Sequence, residues 1–114
     1  MRKYQIRFFF NAGGPCAWSG NKTTKLKFGN YPIEIENLPI SNRLKQELSE
    51  LDIEYGTYLD WREPNAPTLW TKEHMIDFMN RATIAYEKLK NELGDEYEVI
   101  NRLQGCVDLN EATH

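Results

Sequence analysis

The chain has 114 residues, 40% of them apolar and 27% charged, with a formal net charge of −3; this is the make-up of one globular domain and excludes a disordered polypeptide, a collagen and a multidomain machine. No apolar run approaches the roughly 18 residues that span a bilayer, and the apolar stretch near the N-terminus is only Phe8 to Phe10, too short for a secretory signal. Two cysteines, Cys16 and Cys106, exclude a disulfide-dense scaffold, so a cytoplasmic chain with reduced thiols is expected.

Residues 2–10 alternate, with Tyr4, Ile6, Phe8 and Phe10 on one face and Lys3, Gln5, Arg7 and Phe9 on the other. Period two predicts a strand. Asn11 to Pro15 is turn chemistry, and Cys16–Ser19 is a short extended candidate. Lys22–Phe28 alternates weakly, with Leu26 and Phe28 against Lys25 and Lys27, and predicts a further strand between the Gly20-Asn21 and Gly29-Asn30 turns. Tyr31–Glu36 alternates again; Pro32 cannot donate to a ladder and belongs at a strand start or edge. The first third therefore reads as a β-meander.

Ser41 then stands ready to cap a helix. Leu44, Leu48, Leu51, Tyr55 and Tyr58 follow at helical spacing and predict a helix from 42 to about 60, with Gly56 as its weak point. The segment between Asp60 and Trp70 contains Pro64 and Pro67 and is a rigid loop, held to the core by Trp61 and Trp70. Thr71 caps a second helix with a wider apolar stripe, from Met75 through Phe78, Ala82 and Leu89 to Leu93, and Gly94 ends it. Glu96–Leu103 is extended, and the simplest partner for this last strand is the first. The predicted architecture is α+β, in the order β-β-β-α-α-β: a four-stranded antiparallel sheet with a two-helix hairpin on one face. It occupies residues 1–103, and 104–114 form a loosely ordered tail.

Sequence chemistry is sparse. The glycines of AGGP and SGN match neither a phosphate-binding loop nor a dinucleotide fingerprint. Cys16, Cys106, His74 and His114 have no metal-ligand spacing, so neither metal nor cofactor is expected. Ser19, Ser49 and Cys16 lack a recognisable base, so no catalytic residue is assigned and the chain is not read as an enzyme. Glu34 and Glu36 read as solvated strand residues.

Charge is more informative. Residues 1–30 carry six basic side chains and no acid, whereas the remainder carries eight basic and seventeen acidic ones. At about 100° per residue, Glu47, Glu50 and Glu54 share a narrow arc beside the leucine stripe of the first helix. Asp60 and Glu63 continue the acidity, opposed by Arg62. A clustered field of one sign steers an oppositely charged partner. A second acidic group, Glu92, Asp95, Glu96 and Glu98, contains no base.

The segments LPISNRLKQELSEL, LDWREPNAPTLWTKE and ELGDEYEVIN, within residues 15–101, give the chain a resemblance to immunity proteins that accompany polymorphic bacterial toxins, including those of contact-dependent growth inhibition. The resemblance implies a non-enzymatic inhibitor of one cognate protein toxin. Many such toxins are nucleases with basic grooves, into which carboxylates can fit in place of phosphates. On this reading Glu47, Glu50, Glu54, Asp60 and Glu63 are the docking acids, and Tyr58 and Trp61 are the anchors. The alternative is a small nucleic-acid-binding module built on Arg7, Lys22, Lys25 and Lys27, against which the acidic remainder weighs. A homodimer through a sheet edge is also open.

Overall fold

The structure is a computed structural model that describes residues 2–11, 14–59, 62–63 and 68–109. Four strands and three helices run in the order β1 (Tyr4–Phe8), β2 (Ala17–Ser19), α1 (Lys22–Phe28), β3 (Pro32–Ile33), α2 (Asn42–Tyr55), α3 (Lys72–Leu93) and β4 (Tyr97–Asn101). A single 3₁₀ turn spans Ile35–Asn37 between β3 and α2. The α+β class agrees with the sequence reading.

The sheet order is β3-β2-β1-β4. The expected pairing of the last strand with the first is present, with Tyr4 opposite Tyr97 and Phe8 opposite Asn101, but the pair is parallel. The sheet is therefore mixed, not antiparallel: β1–β2 and β2–β3 are antiparallel. The reason is the connection. A hairpin can join only antiparallel neighbours, whereas the long path through α2 and α3 carries the chain back to the end of the sheet where β1 began.

The meander expected over the first third is also corrected. Lys22–Phe28 is a helix. Asn21 Oδ1 accepts from the Thr24 amide at 2.9 Å, which satisfies one open donor of the first turn, and Gly29 closes the last turn at φ 81°. The Thr24 hydroxyl then takes the amide of Gln5 at 2.7 Å, so α1 completes the hydrogen bonding of β1 where β2 has ended. Further on, β3 has only two residues, and Ile35–Asn37 coils instead of extending. Helix α2 stops at Tyr55, five residues short of expectation, and the amide of Gly56 closes its last turn on Asp52.

Other helix ends follow the sequence. Ser41 Oγ accepts from Leu44 N at 3.2 Å and Thr71 Oγ1 from His74 N at 3.1 Å. Gly94 takes φ 80° at the end of α3. Between the sheet and the helix pair lies one apolar core. Phe8, Phe78, Ile6, Leu44, Leu48, Met75 and Leu89 are fully enclosed there, and burial of each is worth about 1.5–3 kcal/mol. Phe10 packs edge-on to Phe78, with ring centroids 5.1 Å apart.

Beyond β4 the chain stays against this core. Tyr55 Oη donates to the Cys106 carbonyl at 2.5 Å, and the Phe10 amide donates to Cys106 Sγ at 3.4 Å. Both cysteines are free thiols and buried.

Candidate functional site

Glu47, Glu50 and Glu54 occupy one flank of α2, as the helical arc requires, but that flank meets α3. Glu54 is half-buried, and its two carboxylate oxygens take Arg81 at 2.5 and 2.8 Å and His74 Nε2 at 2.8 Å. Arg81 also holds Asp77 at 2.8 Å. The Arg81 hydrogen bond is the main reason that the Glu54 carboxyl lies below its ordinary value. Glu47 receives Lys88 at 3.1 Å and, more distantly, Arg43 at 3.8 Å. Two of the three acids are thus engaged within the molecule, clasping the helix pair. Glu50 remains exposed, and Gln46 Nε2 donates to its carboxylate at 3.5 Å. It borders a shallow groove between the helices, whose floor includes Leu51 and the exposed Ile84.

Tyr58, expected as an anchor, lies inside the core at 7% exposure. Its ring stacks on Tyr55 with centroids 5.5 Å apart and meets the edge of Trp70 at 5.3 Å. Its hydroxyl accepts from the Asp108 amide at 3.0 Å. Trp70 is buried, lies 3.9 Å from the His74 ring and donates to Thr57 Oγ1 at 2.8 Å. Its burial against the core is what the sequence suggested for Trp70; Pro64 and Pro67 lie outside the described residues. Glu63 is exposed. Asp60 and Trp61 lie outside the described residues.

In the second acidic group, Glu92 takes the Ser41 amide at 2.6 Å and its hydroxyl at 2.9 Å. Glu98 accepts from Gln5 Nε2 at 3.0 Å. Asp95 and Glu96 are exposed.

On the opposite flank of α2 lies a feature the sequence reading passed over. Glu34, Ile35 and Glu36 from the stretch after β3, Gly14 and Pro15 from the first turn, and Ser49, Asp52 and Ile53 from α2 surround an open hollow of about 350 Å³. None of these lining residues is basic. Asp52 is half-buried, and its carboxyl is pushed up to about 7, first by burial and then by the facing Glu34 carboxylate. Cys16, beneath, is raised well above the usual thiol range by burial, with Asp52 adding to the effect. Lys45 stands nearby, its ammonium 3.0 Å from the Glu36 carbonyl oxygen. Ile53 is 74% exposed at the rim. What brings these acids together is the 3₁₀ turn, which the alternation of Tyr31–Glu36 concealed. Asp52 itself was legible as the first position past the leucine stripe.

The basic residues of the N-terminal region are spread out. Lys22, Lys25 and Lys27 are exposed on α1, and Lys27 Nζ sits 5.1 Å from the Tyr4 ring centroid. Arg7 lies on the sheet, with Nη1 3.5 Å from Tyr31 Oη. Among the described residues, no three His, Cys, Asp or Glu side chains are grouped to hold a metal ion. No helix among them is long and apolar enough to cross a membrane.

The family described as Serratia CdiI immunity protein-like matches residues 6–102. That match covers both helices of the hairpin and all four strands but the first two residues of β1, and the chain belongs to this family. The resemblance drawn from the Leu-Pro-Ile-Ser, tryptophan-loop and Glu-Leu-Gly segments is borne out. Among curated proteins, none matches the chain.

Proposed function

We propose that this immunity-family chain binds one cognate bacterial toxin and blocks it stoichiometrically, without turnover, in the cytoplasm. The toxin is basic, of the nuclease type, and the contact is made through acidic surface. The observation that carries this reading is the hollow beside α2. Glu34, Glu36 and Asp52 line it without a basic residue among them, and burial, with the facing Glu34 carboxylate, raises the Asp52 carboxyl to about 7. A cationic side chain of a partner relieves that strain, and such complementarity speeds encounter and fixes register.

Exposed Glu50 and Glu63, with Asp60 and Trp61 between them in the chain, extend the field. Glu47 and Glu54, paired with Lys88 and Arg81, serve instead to clasp α3. The second reading, a nucleic-acid module, is favoured by the six cations and absence of acids in residues 1–30. Salt-sensitive retention of RNA or DNA on a filter would support it.

Co-expression with the toxin domain encoded beside this gene tests the main reading. Growth arrest by the toxin alone, with rescue and co-purification in the presence of this chain, is expected. Absence of both complex and rescue overturns it. Glu50→Lys should slow association about two- to tenfold and flatten its dependence on salt, with thermal stability unchanged.

A further inference from the structure

Among the described residues, the fully buried core side chains of β1 lie on one face of the sheet. Phe8 and Phe10 meet Tyr86, Tyr55 and Phe78 of the helices, so alternation turns Gln5, Arg7 and Phe9 the other way. The register sets Arg7 between Trp18 of β2 and Ile100 of β4, and Trp18 beside Pro32 of β3. One row across the outer face therefore reads Pro32, Trp18, Arg7, Ile100, each half-exposed. Phe9 stacks on Trp18 with centroids 4.9 Å apart and planes 9° from parallel. Tyr31, 40% exposed, closes on Trp18 at 5.3 Å.

Tryptophan, tyrosine and arginine are the side chains that carry most of the energy at protein interfaces. Here Trp18 is held by stacking on Phe9 and by the tilted Tyr31 ring, so little of its side-chain freedom is left to lose on binding. Position adds a second argument. A Cβ built on Gly14 would come within 3.4 Å of the far edge of the Trp18 indole, and Gly14 itself lines the acidic hollow. Gly14 is thus where the aromatic row adjoins the hollow, with exposed Ile53 among the residues lining the hollow.

We propose that the toxin docks on this surface, with an apolar segment laid on the Phe9–Trp18–Tyr31 rings and a lysine or arginine side chain inserted between Glu34 and Asp52. The assignment rests on the immunity reading above. The occupant follows from charge: Glu34, Glu36 and Asp52 repel a phosphate backbone. A symmetric contact with a second copy would place like-charged hollows close together.

The test measures affinity for the toxin domain encoded beside this gene, alongside growth rescue. Tyr31→Ala and Glu34→Lys, both at exposed positions, should each weaken binding tenfold or more. For Tyr31→Ala the loss should lie in faster dissociation. Ile84→Ala, on the exposed side of α3, should stay within twofold. Trp18→Ala removes sheet packing as well as a contact, so the first two variants carry the decision, with thermal unfolding as the check on folding. Wild-type rescue combined with unchanged affinity of Tyr31→Ala and Glu34→Lys overturns this surface and leaves neutralisation standing. Failure of the wild type to bind or rescue overturns the immunity reading and the surface with it. Salt-sensitive binding of a single-stranded RNA 20-mer, lost in Tyr31→Ala, would assign the face to nucleic acid instead. A wild-type dimer in solution, made monomeric by Tyr31→Ala, would assign it to self-association.

Discussion

Asp52 and Glu54 are two residues apart on α2, and their environments drive them in opposite directions. Glu54 sits between Arg81 and His74, and its carboxyl is lowered. Asp52 faces Glu34 in a hollow, and its carboxyl rises to about 7. The signs of their pH effects therefore differ. Glu54 contributes stability above its unfolded value, and that contribution is lost as pH falls through the lower folded value. For Asp52, the folded state binds a proton that the unfolded chain has released between about 4 and 7, so stability declines as pH rises through that window. Thermal unfolding of two variants checks both. Glu54→Ala should cost about 1 kcal/mol at pH 7, since a partly exposed bidentate pair is worth no more, and the cost should shrink toward pH 3. Asp52→Asn should raise stability at pH 8 by about 1 kcal/mol, discounted for the openness of the hollow, and have little effect at pH 4. If Asp52 also meets the toxin, the same substitution will make the inhibitor sturdier and weaker.

At the scale of elements, the legible parts were those with local punctuation. Ser41 and Thr71 announce α2 and α3 because a side-chain oxygen must reach back to an open amide, and Gly94 marks where a positive φ is needed. The same grammar was present at Asn21 and Gly29, yet the weak alternation of Leu26 and Phe28 outweighed it. Seven residues are too few to separate a period of two from one of 3.6 when Leu26 stays 75% exposed. Asn21→Ala should therefore cost about 1 kcal/mol in chemical denaturation, and because Thr24 links α1 to Gln5, amide exchange at Gln5 should quicken too. The direction of β4 could not be read from its own residues, because parallel pairing is decided by the path of α2 and α3. The candidate site was half legible for the same reason. The arc of Glu47, Glu50 and Glu54 was correct as geometry, but its partners His74, Arg81 and Lys88 recur every seventh residue on another helix. Only the docking of α2 on α3 shows that Glu47 and Glu54 are occupied.

For the whole molecule, the contrast between a basic first quarter and an acidic remainder survives folding in altered form. Arg7 enters the aromatic face, Lys22, Lys25 and Lys27 ride on α1, and Glu34, Glu36 and Asp52 gather around the hollow beside α2. Tyr58 shows the limit of reading aromatics from a sequence: core and interface use the same rings, and only burial tells them apart. Phe9 shares the face of Lys3, Gln5 and Arg7 in the alternation of β1, and only the fold shows that it stacks there on Trp18.

The two enclosed thiols give the molecule an internal clock. Cys16 sits under the sheet and Cys106 is fastened to Phe10 and Tyr55 beyond β4, both shielded from solvent, and burial raises both thiols, making each slow to react. A chromogenic disulfide reagent can modify either one only during an opening, so colour develops at the rate set by those openings. Cys106, nearer the chain end, should report the release of the terminal segment, and Cys16 the loss of the whole fold. Seating a toxin on the outer face should stretch the second interval far more than the first, which turns an unlabelled protein into its own binding gauge.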